Sequence, residues 1–156
     1  MNVRGIHHVG LVVDDLDAAV TFYSELLGMQ VIERDRWRSP APLEDQAVGL
    51  RESSADGVML CGSGSYLELW QFSAPAQTAP APIDLGANEP GLRHLALEVD
   101  DVAEALDLVV EMGGRRMGDP VSLDAAGASV VYCRDPFGTI LELMSTGSTP
   151  ASLSNL

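Results

Sequence analysis

Two of the three histidines stand in matching surroundings, and so do two of the glutamates. His8 and His94 each lie in an apolar segment that has a glycine or an alanine two positions later. Glu68 and Glu142 each lie inside a Leu-Glu-Leu run. Imidazole nitrogens and carboxylate oxygens are common ligands of divalent transition metals. These four residues are therefore candidate ligands of one metal ion.

The matching surroundings arise because the chain repeats itself. Residues 5–15 align with residues 91–101, and residues 65–69 align with residues 139–143. Each half therefore opens with a histidine-bearing segment and closes with a Leu-Glu-Leu segment, and the first half is longer in its middle. Internal repetition of this kind is typical of a fold built from two similar units.

Each half is predicted as β-α-β-β-β. Residues 5–13 and 91–99 alternate as strands do, and the aspartate pairs that follow them are N-cap candidates for a helix. Gly28 and Gly113-Gly114 suit the residue that ends each helix. Residues 39–46, within the extra length of the first half, are predicted to form a loop or flap. Further strands are predicted at about 29–35, 47–53, 57–62 and 65–72, and at about 115–118, 128–134 and 138–145.

Strand geometry predicts that all four candidate ligands project from the face opposite the helices. Successive side chains on a strand point to opposite faces, so the flanking leucines turn Glu68 and Glu142 away from the helix side. Two imidazoles and two carboxylates inside a protein are costly unless a cation neutralises them. We therefore predict a divalent ion of Ni, Co, Zn, Mn or Fe, with water completing its coordination.

Composition excludes several classes of function. The chain has a net charge of −14 and no lysine, so it has no basic stripe for nucleic acid and no phosphate-binding P-loop lysine. No apolar run approaches the roughly 20 residues that cross a membrane, and no secretory signal precedes the first predicted strand. Cys61 and Cys133 are predicted to be buried and reduced. We expect a cytoplasmic protein that binds a small molecule and neither nucleic acid nor membrane.

Short motifs in a fixed order, from about residue 5 to residue 145, resemble the vicinal oxygen chelate superfamily. That superfamily includes glyoxalase I, methylmalonyl-CoA epimerase, extradiol dioxygenases, fosfomycin-modifying enzymes and bleomycin resistance proteins. The resemblance implies an α+β fold in which two tandem βαβββ modules form a cupped mixed sheet with helices on the outer face. It also implies a homodimer. The motifs are His8-Val9-Gly10-Leu11-Val12-Val13-Asp14-Asp15-Leu16, Phe22-Tyr23, Leu27-Gly28-Met29, Leu67-Glu68-Leu69, His94-Leu95-Ala96, Asp135-Pro136-Phe137-Gly138 and Leu141-Glu142-Leu143.

In these terms residues 1–146 are predicted to form a single glyoxalase-like domain. Its modules are predicted at 5–73 and 91–146. The segment between them, 74–90, is rich in proline and alanine and is predicted to be a linker. Residues 147–156 are predicted to be a flexible tail.

The ligand pattern narrows the activity that the resemblance implies. Glyoxalase I has a His-Glu-His-Glu set, which this chain matches, whereas the epimerase generally has glutamine at the position of Glu68. The expected activity is that of a metal-dependent isomerase, epimerase or lyase that moves a proton next to a carbonyl through a metal-bound enediolate or enolate. Glu142 is the first candidate for the base and Glu68 the second.

Two alternatives stay open. One is a ring-cleaving dioxygenase that uses Fe(II); the carboxylate of Glu68 argues against it, because oxygen activation needs open coordination positions. The other is a non-catalytic protein that binds an antibiotic. The net charge would suit a cationic antibiotic, but the intact set of ligands argues against a binder without a metal.

Candidate substrate-binding residues come from two places. Arg36, Trp37 and Arg38 lead into the predicted loop and are placed to clamp an acidic substrate, although a surface patch gives the same pattern. Tyr66 and Trp70 share the strand face of the first glutamate, where core packing is the alternative role. An apolar and aromatic wall with a few polar groups suits a small organic ligand.

Overall fold

A computed structural model of the chain describes residues 2–78, 82–123, 125 and 127–147. The contacts divide the chain into two compact units, Met1–Ala79 and Pro80–Leu156, and the division falls within the predicted linker. Each unit is an α+β module with its own mixed sheet, as the sequence predicts.

The first unit contains a four-stranded sheet with the strand order β1-β4-β3-β2. The opening strand pairs with the closing strand in parallel, and the other pairs are antiparallel. The elements are β1 (Val9–Val12), α1 (Leu16–Leu27), β2 (Gln30–Trp37), α2 (Pro42–Val48), β3 (Ser54–Gly62) and β4 (Ser65–Ala74).

The second unit repeats this topology in the strand order β5-β9-β8-β6, with β7 paired to β8. Again the opening and closing strands run parallel. A short 3-10 helix at Pro82–Asp84 precedes the sheet. The other elements are β5 (His94–Glu98), α3 (Val102–Glu111), β6 (Arg115–Arg116), β7 (Val121–Ser122), β8 (Ser129–Arg134) and β9 (Ile140–Ser145).

The two crossover helices begin where the sequence predicts. The Asp15 carboxylate accepts a hydrogen bond from the backbone of Ala18, and the Asp101 carboxylate caps α3 in the same way. Gly28 ends α1 with a left-handed φ of 63°. No helix among the described residues is long and apolar enough to cross a membrane.

Each helix buries one face against its sheet. On α1 the buried side chains are Leu16, Ala19, Phe22 and Tyr23, and α1 packs on β3 and β4. The leucines on either side of Glu68 are 3% exposed or less. The helix-side packing therefore fixes which face of β4 the glutamate occupies.

The middle of the first unit differs from the prediction. The strand predicted at 47–53 is wrong, and most of the segment predicted as a loop or flap is the helix α2 instead. Pro42 suits the first turn of a helix, and Gly49 ends it with a φ of 70°. The carboxylate of Asp45 then accepts hydrogen bonds from the backbone amides of Glu52 and Ser53, which turns the chain toward β3.

The starts of the opening strands and one short strand also differ from the prediction. The opening strands begin later than predicted, at Val9 rather than residue 5 and at His94 rather than residue 91. The two-residue strand β7 is absent from the prediction, because a strand so short leaves no period in the sequence.

Part of the predicted linker belongs to the second unit. The buried guanidinium of Arg134 donates hydrogen bonds to the carbonyl oxygens of Pro82 and Leu85 at 3.0 and 2.6 Å, and to that of Gly138. This segment is therefore held against β8 rather than free. The rest of the linker at 79–81, and the predicted flexible tail beyond Gly147, lie outside the described residues.

The leucine layer under α1 generates a stability prediction. Replacing fully buried Leu69 with alanine should lower the free energy of unfolding by about 2–5 kcal/mol, because it leaves a cavity below the helix. Leu43 on α2 is 76% exposed, and the same change there should cost no more than about 0.5 kcal/mol. Denaturant unfolding measures both; equal losses would contradict this account of the core.

Candidate metal centre

The first histidine–glutamate pair lies where the opening and closing strands of the first unit run side by side. His8 directly precedes β1, and Glu68 sits in β4 opposite Gly10. The Nε2 atom of His8 lies 3.3 Å from Oε2 of Glu68. The side chains are 35% and 24% exposed, so solutes can reach both groups.

The second unit contains an equivalent histidine–glutamate pair, which is formed by the same register between its opening and closing strands. His94 begins β5, and Glu142 in β9 lies opposite Ala96. The Nε2 atom of His94 lies 3.0 Å from Oε2 of Glu142, and the side chains are 38% and 21% exposed. The repeat seen in the sequence is thus a repeat of atomic arrangement.

Small residues at the register positions keep the carboxylates accessible. A Cβ atom added to Gly10 would stand 3.6 Å from Oε2 of Glu68, so a longer side chain would crowd the carboxylate. Ala96 occupies the equivalent place in the second unit. The buried leucines of β4 and β9 hold each glutamate on the other face from the helix.

The second ring nitrogen of each histidine has its own partner. Nδ1 of His8 lies 2.8 Å from Nδ1 of His7, whose ring stacks on Tyr66 with centroids 5.3 Å apart. Nδ1 of His94 lies 3.4 Å from the hydroxyl of Tyr132. In both pairs Nδ1 is engaged and Nε2 faces the carboxylate, so the two rings have the same orientation toward their glutamates.

Sequence reasoning missed Tyr132. This residue is the cross-strand neighbour of Glu142 on β8. Burial raises the pKa of its phenol, and the charge of Glu142 and a hydrogen bond with that carboxylate raise it further. The equivalent neighbour of Glu68 is Met59. Because the tyrosine is not part of the repeat, only the register of β8 against β9 could have indicated it.

The geometry of each pair fits a metal ion with nitrogen and oxygen ligands. Two ligand atoms at right angles, each about 2.1 Å from a metal, are about 3.0 Å apart. The measured separations are 3.3 and 3.0 Å. Within the described part of each unit, no third His, Cys, Asp or Glu joins the pair closely enough to complete a site. Each pair by itself therefore offers one nitrogen ligand and one oxygen ligand.

The two cysteines are free thiols and take no part in either pair. Burial, together with the charge of Asp135, raises the pKa of Cys133 to about 11. That thiol is protonated at neutral pH, which leaves it a packing residue.

The basic-aromatic cluster is engaged in internal contacts. Arg36 and Arg38 both form ion pairs with Asp56, the second at 2.7 Å. Burial raises the pKa of Asp56, but the hydrogen bonds and charges of the two arginines outweigh it, and the pKa lies below its usual value. Trp37 is 9% exposed and donates its indole N–H to the hydroxyl of Ser53. A substrate clamp made of these residues stays a prediction.

The face of the first sheet that carries Glu68 also holds a concavity of about 190 Å³. Trp70 forms part of its wall and packs against Trp37 with ring centroids 4.7 Å apart. Tyr66 is 39% exposed on the same strand face. The lining residues are Glu33, Asp35, Gly57, Val58, Met59, Glu68 and Trp70.

Alternation along β2 makes this concavity acidic. Glu33 and Asp35 line it, whereas Arg34 lies 4.0 Å from Asp17 of α1, on the helix side. Arg36 points the same way as Arg34, because side chains two apart share a face. The lining thus contains three carboxylates and no cation.

Comparison with known proteins agrees with the fold. Residues 5–143 match the Glyoxalase/Bleomycin resistance protein/Dioxygenase superfamily. A 2-epi-5-epi-valiolone epimerase from an Actinomyces species is 31% identical over 150 residues, which cover 90% of this chain and 78% of that relative. A probable chloroplastic lactoylglutathione lyase from Arabidopsis thaliana is 28% identical over 96% of this chain, which spans only 38% of that relative's length.

A solved glyoxalase family protein from Bacillus cereus has the same fold. It superposes with a TM-score of 0.83 at 20% sequence identity, over 93% of this chain and 95% of that one. A solved fosfomycin resistance protein, FosX, from Listeria monocytogenes, complexed with Mn(II), has a TM-score of 0.59 at 14% sequence identity, over 99% of this chain and 98% of that one. The match over nearly the whole chain and the likeness to the epimerase confirm the predicted resemblance: this chain belongs to the glyoxalase/bleomycin resistance protein/dioxygenase superfamily.

Proposed function

We propose that the protein is a metal-dependent enzyme that moves a proton on the carbon next to a carbonyl group. The observation that carries this proposal is the duplicated pair, in which a histidine Nε2 lies 3.3 or 3.0 Å from a glutamate Oε2. Relatives at low identity are epimerases and lyases, which supports the reaction class.

In this proposal His8, Glu68, His94 and Glu142 together hold one divalent ion of Ni, Co, Zn, Mn or Fe. The donor set of two imidazole nitrogens and two carboxylate oxygens suits all of these ions. When bound, such an ion supplies Lewis-acid polarisation of a carbonyl oxygen. A homodimer, which the resemblance to the superfamily implies, is also part of the proposal.

The carboxylates move the proton. Glu142 takes the proton from the carbon beside the carbonyl with Oε1, the carboxylate oxygen that does not face His94, and Glu68 is the second candidate for this role. Each is partly buried and lies beside the imidazole of its own unit. Return of a proton to the opposite face of the same carbon inverts that carbon and gives epimerisation, and delivery of the proton to the neighbouring carbon gives isomerisation.

The acidic concavity bears on the substrate. With Glu68 assigned to the ion, Glu33 and Asp35 leave two negative charges on this face, which repel negatively charged carriers such as glutathione and coenzyme A at short range. A neutral ketone such as 2-epi-5-epi-valiolone, which carries no ionisable group, meets no such repulsion and can contact the wall formed by Trp70. We propose an uncharged carbonyl compound as the substrate class.

A non-catalytic binder of a cationic antibiotic is the second candidate function, because the three carboxylates of the concavity would attract a cation. A dioxygenase that uses Fe(II) is the third. Metal content separates the binder from the two enzymes, and oxygen consumption during turnover separates the dioxygenase from the proton-transfer enzyme.

Metal content gives the first prediction for this site. Elemental analysis of the purified protein should find one divalent ion per chain. Replacing Glu142 with glutamine should weaken binding of that ion by at least about tenfold, because a neutral amide replaces a charged ligand. Glu104→Gln, the same chemical change in the first turn of α3, is the matched control and should bind as the wild type does. Two ions per chain, or equal affinities, would show that the pairs do not form one site.

Proton transfer gives a second prediction. With the metal content of each sample measured and matched, Glu142→Gln should lower the rate of solvent-deuterium incorporation next to the substrate carbonyl by at least about 100-fold. Glu68→Gln tested in parallel decides which carboxylate acts. Wild-type exchange in a metal-loaded Glu142→Gln variant would remove Glu142 from the base role and leave Glu68.

Substrate charge gives a third prediction. The wild type should turn over 2-epi-5-epi-valiolone with a higher kcat/KM than methylmalonyl-CoA or the adduct of methylglyoxal with glutathione. Replacing Glu33 with glutamine and Asp35 with asparagine should lower KM for the two anionic compounds, since it removes two negative charges from the concavity. A preference for an anionic compound by the wild type, with no effect of this double variant, would exclude the proposed substrate class.

A further inference from the structure

The two pairs reach the same geometry with different supporting groups. In the second unit the phenol of Tyr132 stands beside both members of the pair. Its oxygen lies 3.4 Å from Nδ1 of His94, the two ring centroids are 5.2 Å apart, and its cross-strand neighbour is Glu142. In the first unit the equivalent strand position holds Met59, which has no hydroxyl to offer.

We infer that Tyr132 is a positioning residue that holds His94 with Nε2 toward Glu142. Only the consequence for metal binding rests on the proposed function; the contact itself does not. His7 has the corresponding place in the first unit, where its Nδ1 lies 2.8 Å from that of His8. The two units therefore orient equivalent histidines through unrelated side chains.

A hydroxyl suits this place because it both donates and accepts hydrogen bonds. A neutral imidazole has one N–H and one bare nitrogen. When Nε2–H of His94 donates to Glu142, the hydroxyl of Tyr132 can turn from that carboxylate and donate to Nδ1. Were Nε2 to give its lone pair to a metal, the proton would reside on Nδ1 and donate to the oxygen of Tyr132, whose own hydrogen would stay with Glu142. Both tautomers are thus fully paired, which keeps the ring in one orientation as its role changes.

Strand pairing makes the contact rigid. Tyr132 lies in the middle of β8, and the antiparallel register with β9 places it directly opposite Glu142. Its flanking residues Val131 and Cys133 are buried at 4% and 0% exposure, which keeps Tyr132 on the face of the sheet that carries Glu142. A residue on a loop would not give this constancy.

The test replaces Tyr132 with phenylalanine, which keeps the ring against His94 and removes only the hydroxyl. Affinities for Ni(II) and Mn(II), measured by titration calorimetry, should fall about tenfold, as is typical when a partner of a ligating histidine is lost. Tyr23→Phe removes a buried hydroxyl of the first unit and is the matched control, for which the affinities should stay within about twofold. Thermal unfolding of the metal-free proteins should show no loss of fold in either variant.

A second measurement needs no metal. In ¹⁵N spectra of the metal-free protein, the Nδ1 signal of His94 should shift in Tyr132→Phe and stay in place in Tyr23→Phe, while the signals of His8 should be unchanged in both. If the Nδ1 signal of His94 shifts in Tyr132→Phe but the wild type binds no metal, the proposed function is refuted and the positioning contact still holds. An unmoved Nδ1 signal, or unchanged affinities in a wild type that does bind metal, would overturn the inference.

Discussion

Parallel pairing of the opening and closing strands is the constraint on which the candidate site depends. A parallel pair needs a long crossover, and in each unit the helix and the two strands that follow it supply that connection. The pairing places Gly10 opposite Glu68 and Ala96 opposite Glu142. In each unit the histidine lies two positions before the small residue, on the same face of the strand. Distant parts of the chain thereby meet at atomic distances, and the buried leucines prevent a slip of one residue.

Charge is sorted by face in the first unit. Along β2 the acidic side chains line the concavity, while the arginines between them bind Asp17 and Asp56 on the other side. Each arginine is paired with an aspartate on its own side of the sheet. Its positive charge therefore does little to offset the negative potential on the face that carries Glu68. The face that carries Glu68 therefore keeps the negative charges of Glu33 and Asp35.

The structural features that could be predicted from the sequence are those that occur in both halves or that have a strong local periodicity. The matched positions of His8 and Glu68 with His94 and Glu142 survive duplication and are visible without a structure, and so are the caps at Asp15 and Gly28. The helix α2 was missed because its signal is a proline start and a glycine end over only seven residues. Contacts set by register alone, above all the one made by Tyr132, leave no local pattern. How the four candidate ligands combine is likewise a question that sequence periodicity cannot decide.

Gly57 shows how a missing side chain can shape a binding surface. It is a buried residue of β3, and any Cβ atom there would collide with the six-membered ring of Trp70. The six-membered ring of Trp70 occupies the space that a side chain at this position would fill, and both residues line the concavity. A larger residue here would displace the aromatic ring and so change the wall of the concavity beside Glu68.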